Sequence, residues 1–89
     1  KGLIVGESAA PRQRAEIEAF VAAQAEVEQV LNVITLAWGD RLVIAVKARM
    51  RDMDTCTGRQ MVDAINLVEE RIQKRFPEAR WVFFEPDVR

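Results

Sequence analysis

Two strand candidates in this chain are apolar on both sides, and only two helix candidates are available to cover them. In the first, Ile34, Leu36 and Trp38 alternate with Val33, Thr35 and Ala37. In the last, Trp81 and Phe83 point one way while Val82 and Phe84 point the other. Successive side chains on a strand project to opposite faces, so neither face of the resulting sheet reads as fully wet. A chain of 89 residues makes one small domain and buries only about 60 to 65% of its unfolded surface. The pattern predicts a face that the chain leaves open and that a partner covers.

The order of elements follows from periodicity and punctuation. Residues 1–9 (KGLIVGESA) read as a lead-in, a short apolar stub followed by Gly6, Glu7 and Ser8. Pro11 suits the first turn of a helix, where its missing N–H costs nothing. Ile17, Phe20 and Val21 then mark one face, which places a helix at about 10–24. Strands at 28–38 and 41–51 flank Gly39-Asp40, a two-residue hairpin turn with glycine where a positive φ is required. Leu42, Ile44, Val46, Ala48 and Met50 form an alternating apolar row; the opposite row is apolar near the turn and basic at Lys47, Arg49 and Arg51. Thr57 and Gln60 match a capping box. Met61, Ile65, Val68, Ile72 and Phe76 carry the longest helical stripe, widened by Val62 and Leu67, over 57–76. Pro77 ends it, and a final strand spans 80–85 before Pro86.

The expected fold class is α+β, a ferredoxin-like open sandwich of α-β-β-α-β order. Its three-stranded sheet carries both helices on one face. The long second helix allows a crossover that returns the last strand parallel to the first. Residues 10–89 form the single domain, and the lead-in follows from an upstream membrane segment. With Leu42, Ile44 and Val46 facing the helices, the open face carries Ile34, Leu36, Trp38, Val43, Trp81 and Phe83. Fully burying these six side chains is worth about 9 to 18 kcal/mol, against about 4 to 15 kcal/mol for association. A twofold homodimer is the default partner of such a face. The alternative is a shifted register that returns some of these residues to the main core.

Composition removes several function classes. Thirteen basic and 14 acidic residues leave a net charge of −1, with no field to draw nucleic-acid phosphates, so no nucleic-acid partner is expected. Histidine is absent and Ser8 is the only serine. No glycine-rich phosphate loop and no CxxC occurs, so the chain reads as a non-enzyme. The single Cys56 forms no disulfide within the chain and fits a reducing compartment. No apolar run approaches the roughly 18 residues of a membrane span. A start at Lys1-Gly2-Leu3 reads as a piece of a longer chain.

Metal ligands are sparse. Asp52, Asp54 and Cys56 offer one soft and two hard ligands on one loop, and Glu85 with Asp87 offers a carboxylate pair that dimer symmetry would double. The competing reading of both groups is a solvated acidic loop and a solvated strand end. These residues call for no definite cofactor; the one they could take is a divalent cation, zinc or manganese.

Gly6-Glu7-Ser8-Ala9, Pro11 opening the first helix, Glu26-Val27 before the first strand, Phe76-Pro77-Glu78-Ala79-Arg80 before the last, and Glu85-Pro86 at its end occur in one order over nearly the whole chain. In that arrangement the chain resembles the cytoplasmic C-terminal domain of the cation diffusion facilitator transporters. The resemblance implies a dimeric regulatory or stabilising domain of a proton-coupled exporter of divalent metal cations such as zinc or manganese. Its partners would be a second copy and the transmembrane domain of the same parent chain, on the cytoplasmic side of a bacterial inner membrane. The histidine and aspartate positions at which that family holds regulatory metal correspond to Leu31, Asn32, Lys47 and Phe83 or Phe84. Leucine and phenylalanine cannot ligate and Lys47 repels cations, so the usual sensor is missing. The alternative function is a stand-alone ferredoxin-like small-molecule-binding or regulatory module.

Overall fold

The computed structural model describes residues 5–8 and 11–88. Residues 1–4, 9, 10 and 89, which include most of the stub read as following a membrane segment and the cap of the first helix, lie outside the described residues. The elements are β1 (Val5–Ser8), α1 (Pro11–Ala22), β2 (Val27–Trp38), β3 (Arg41–Met50), α2 (Gly58–Arg75) and β4 (Ala79–Pro86). The α-β-β-α-β unit, its mixed three-stranded sheet β2-β3-β4 and the ferredoxin-like α+β class are those read from the sequence. Part of the predicted lead-in adds to it. Val5–Ser8 pairs antiparallel with the last residues of β2 and makes the sheet four-stranded, in the order β1-β2-β3-β4.

One expectation about direction is corrected. β4 runs parallel to β3, its hydrogen-bonded neighbour, and not parallel to the first predicted strand, which is β2. The crossover starts from β3 and passes through α2, so the returning strand takes the direction of the strand that feeds the helix. Because β2 and β3 are joined by a two-residue hairpin, β2 is antiparallel to both. Gly39 in that turn has φ 64°, the conformation that a type II′ turn requires of its first central residue.

β3 is the centre of the core. Leu42, Ile44, Val46, Ala48 and Met50 are all buried, a strict period of two. β2 departs from that period. Its buried residues are Val27, Val33 and Thr35, with Val30 and Ala37 packed at intermediate depth. Register shifts between Val27 and Gln29 and between Val30 and Asn32 insert extra residues into the strand. These two bulges turn Val27, Val30 and Val33 to the same face although they are three apart.

The helices cover this face only. Ile17 and Val21 of α1 and Val68 and Ile72 of α2 join the β3 row and Phe76 in one cluster. Within α2 the buried stripe is flanked by Ala64 and Ile65, whereas Val62 and Leu67, expected to widen it, are exposed. Both lie about a third of a turn beyond the contact line, which a helix on an open sheet reaches only narrowly. Phe20 meets Phe76 edge to face at 5.8 Å and ties the two helices together, a geometry worth about 0.5 to 1.5 kcal/mol beyond burial. At the N-terminus of α2, Thr57 Oγ1 accepts from the Gln60 backbone at 3.0 Å and the Gln60 side chain accepts from the Thr57 N–H at 2.9 Å, completing the capping box.

Thr35 breaks the apolar pattern inside this core. Its hydroxyl is buried opposite Ile44 and has no hydrogen-bond partner among the described residues. A stranded hydroxyl costs about 1 to 3 kcal/mol, and an apolar residue of the same shape removes the cost. Thr35→Val is expected to raise stability by about 1 kcal/mol, read as a higher urea midpoint at unchanged slope. A lower midpoint would mean that the hydroxyl is satisfied.

Candidate functional site

The face of the sheet opposite the helices is the candidate site. Cross-strand register places its residues in rows: Trp38 beside Arg41; Leu36, Val43 and Trp81; Ile34, Ala45 and Phe83; Asn32, Lys47 and Glu85. All six residues predicted for the open face, Ile34, Leu36, Trp38, Val43, Trp81 and Phe83, therefore lie on it together. Exposure is 49% for Ile34, 50% for Trp38, 42% for Trp81 and 58% for Phe83. The expectation of full burial overstated the gain. These side chains are already about half shielded by their sheet neighbours, so roughly half of the 1.5 to 3 kcal/mol per residue remains to be gained.

The face is not flat. Val43 and Ala45 on β3 are small and partly buried, while the rows on either side carry larger side chains. A hollow of about 520 Å³ is lined from this face by Asn32, Ile34, Ala45, Lys47, Phe83 and Glu85 and reaches Val46 and Phe84 of the helix-covered side. Glu69 of α2 also borders it, and burial pushes the Glu69 carboxyl above the ordinary carboxylate value. Arg80, displaced by a register shift at the start of β4, stands 5.8 Å from the centre of the Trp81 ring. This distance is within the range in which a guanidinium is attracted to an aromatic face.

The charged end of the face is tied to the C-terminal segment. Lys47 Nζ lies 3.3 Å from an Asp87 carboxylate oxygen. The Asp87 N–H donates to the Ala48 carbonyl at 2.9 Å, and Arg49 donates to the Val88 carbonyl at 2.6 Å. Glu85 lies level with Lys47 on the neighbouring strand. A cation at Glu85 and Asp87 would have to displace the Lys47 ammonium.

The loop candidates are also separated. Asp52 adopts φ 61° and its carbonyl accepts from the Thr55 and Cys56 N–H groups, so the loop closes on itself. Asp52 borders two hollows, one with Cys56, Glu26 and Arg51 and the other with Asp54, Glu28 and Arg49, so Cys56 and Asp54 line different ones. Among the described residues no three acidic, cysteine or histidine side chains converge on a point that could hold a metal. Within one chain, Asp52, Asp54, Cys56, Glu85 and Asp87 are not assembled into a ligand set. Their sequence spacing was short, but the turn at Asp52 and the Lys47 pair send their side chains to different places.

Sequence reasoning did not find the link beside Cys56. Arg71 of α2 donates to Glu26 at 2.7 Å and to Gln24 at 3.2 Å, bridging the helix to the α1–β2 connection. Partners 45 and 47 positions away, respectively, carry no local signal of such a contact.

The fold and this face define a class: a ferredoxin-like α+β module with one sheet face uncovered by its helices. The chain matches no known family model and no curated protein. Among the described residues no helix is long and apolar enough to cross a membrane.

The Glu26 link predicts a pH dependence. The hydrogen bond from Arg71 holds the Glu26 carboxyl below its ordinary value. A carboxylate lowered in the folded state adds stability above its unfolded value of about 4.3 and loses it as pH falls through the folded value. Glu26→Gln is expected to lower the urea midpoint slightly at neutral pH and to match the unmodified chain at about pH 3. An equal deficit at both values would show that packing, not charge, carries the contact.

Proposed function

We propose that the chain is the dimeric cytoplasmic regulatory or stabilising domain of a divalent metal cation efflux transporter of the cation diffusion facilitator type. The observation that carries the reading is the open apolar face on an α-β-β-α-β module, in a chain whose motifs follow that family's order from Gly6 to Pro86. Its work is mechanical. Two copies associate through their sheets, and the separation of the pair biases the membrane part of the parent chain. The absence of histidine and the dispersal of the acidic candidates favour association without tight metal sensing. Among the described residues no nucleophile stands beside a paired base, and the contribution we assign to the module is binding.

A second reading draws on the trough over Ala45. Apolar walls at Ile34 and Phe83 beside the polar row Asn32, Lys47 and Glu85 suit a small amphipathic ligand, as in a stand-alone regulatory module. The trough is shallow and open, which favours a protein surface over a small molecule.

Three measurements test the proposal. Trp38→Glu and Trp81→Glu each place a charge in the face and are expected to convert dimers to monomers in sedimentation; dimers unchanged in both would remove this face from the interface. Calorimetric titration with zinc and with manganese is expected to show no binding tighter than about micromolar. Tight binding with a defined stoichiometry would restore a metal-sensing role. In the full-length parent, deletion of the domain is expected to reduce metal efflux.

A further inference from the structure

We propose that the outer edge of β4 takes an extended segment of a partner protein as a further strand of the sheet, with a basic side chain of that segment set against Glu69. The edge is a different surface from the open face, and the inference does not rest on the dimer reading.

The two edges of the sheet are built differently. β1 covers β2 only at its last residues. The rest of β2 carries two bulges, and Arg14 donates to the Val33 carbonyl there at 2.9 Å. Bulges and charged side chains at an edge discourage a further strand. β4, the last strand on the other side, pairs with β3 in unbroken register from Trp81 to Pro86. Its run Trp81-Val82-Phe83-Phe84 has no charge and high strand propensity. Register fixes which backbone groups of β4 point outward. The Asp87 N–H donates to the Ala48 carbonyl, and Ala48 is level with Pro86. Alternate residues of a parallel ladder bond to the same neighbour, so Trp81, Phe83 and Glu85 turn their backbone groups to β3. Val82 and Phe84 turn theirs outward, an N–H and a carbonyl each, and among the described residues these groups have no partner. Pro86 has no N–H to offer and closes the row.

The helix beside this edge determines what the added strand carries. Val62, Ile65 and Glu69, spaced by three and four, share one side of α2. Arg71 on the opposite flank reaches Glu26 before β2, so the Glu69 side lies toward β4. Val62 is exposed there, and Glu69 borders a hollow with Phe83, Phe84 and Glu85. Glu69 makes no hydrogen bond or ion pair among the described residues. Burial raises its carboxyl above the ordinary value with no cation to offset it. Lys47, the cation of the same hollow, is held by Asp87 at 3.3 Å. A carboxylate that has lost water and gained no partner favours an incoming ammonium or guanidinium. Glu85 at the same end adds to that preference and repels phosphates. An added strand supplies the rest: backbone bonds for affinity, and side chains that meet Val62 and Ile65 on one side and Phe83 on the other.

The probe is the peptide acetyl-Ser-Val-Ile-Lys-Ile-Val-Ser-amide, whose order reads the same in both directions. It is titrated into the isotope-labelled whole chain, and binding is read from the amide signals. Saturable shifts at Val82 and Phe84 are expected. Replacing the peptide lysine by glutamate is expected to weaken binding about tenfold or more. Two versions with methylated backbone nitrogens, one at both isoleucines and one at the lysine and both valines, block opposite edges of the peptide. One is expected to bind and the other to fail, because a strand pairs through one edge. Glu69→Gln is expected to bind lysine and norleucine peptides alike, whereas the parent chain prefers lysine. Phe84→Pro removes an outward N–H and is expected to lose binding; should it not fold, the methylated peptides read the same bonds from the other partner. Trp38→Glu, on β2, is expected to bind as the parent does, which separates this edge from the dimer reading. No saturable shift up to about millimolar peptide, or two methylated peptides that behave alike, would overturn the added strand. A lysine preference that survives Glu69→Gln would overturn the role of Glu69. Association of the chain with itself, lost in Phe84→Pro without any peptide, would make the occupant a second copy and overturn the partner named here.

Discussion

Parallel pairing of β3 with β4 is the constraint from which the rest of the molecule follows. A parallel neighbour can be reached only by a crossover, and a crossover of one helix keeps to one side of the sheet. α2 therefore covers the face that carries Ile44 and Val46, and α1 completes the same layer over β2. β3 becomes an inner strand with a hydrogen-bonded neighbour on each edge, which is why its inward row is buried without a break from Leu42 to Met50. Among the described residues no element covers the other side. The shelter of one face and the exposure of the other are two results of one connection.

The basic end of β3 has a different role from the one its composition suggests. Lys47, Arg49 and Arg51 alternate with buried residues and would read as a positive strip. Each is instead engaged with a neighbouring segment: Lys47 with Asp87, Arg49 with the Val88 carbonyl and Arg51 with the Ala25 carbonyl. These contacts fasten the chain after β4 and the connection before β2 to the central strand. A strip whose charges are committed to backbone carbonyls and a carboxylate attracts phosphates or lipid headgroups weakly, in keeping with the balanced charge of the chain.

Much of this was legible in the sequence because strand and helix periods differ. The β3 row, the α2 stripe, the Gly39-Asp40 turn and the Thr57–Gln60 box are local signals, and the structure places each near its expected position. The open face was legible for the same reason, since Ile34, Leu36 and Trp38 alternate strictly after the last bulge. What escaped notice depends on contacts remote in sequence. The bulges in the first half of β2 exist to bring Val27 and Val30 over the core, and alternation alone cannot announce them. β1 is too short to register as a strand without its partner. Arg14, which donates to the Val33 carbonyl where β1 no longer borders β2, is another contact that only the assembled sheet reveals.

The partial shielding of the open face bears on how strongly it can associate. Side chains about half covered by their own sheet gain less from a partner than the same residues on a bare strand. The surplus over the cost of association is therefore small. In the proposed transporter, each copy would be tethered through its own membrane part and would meet the other at an effective concentration in the millimolar range. Contacts too weak to hold free copies together at micromolar concentration are then sufficient. A modest seam also separates at modest cost, whereas an obligate core would not. The half-covered aromatics are thus suited to a surface of modest affinity, as the proposed function requires.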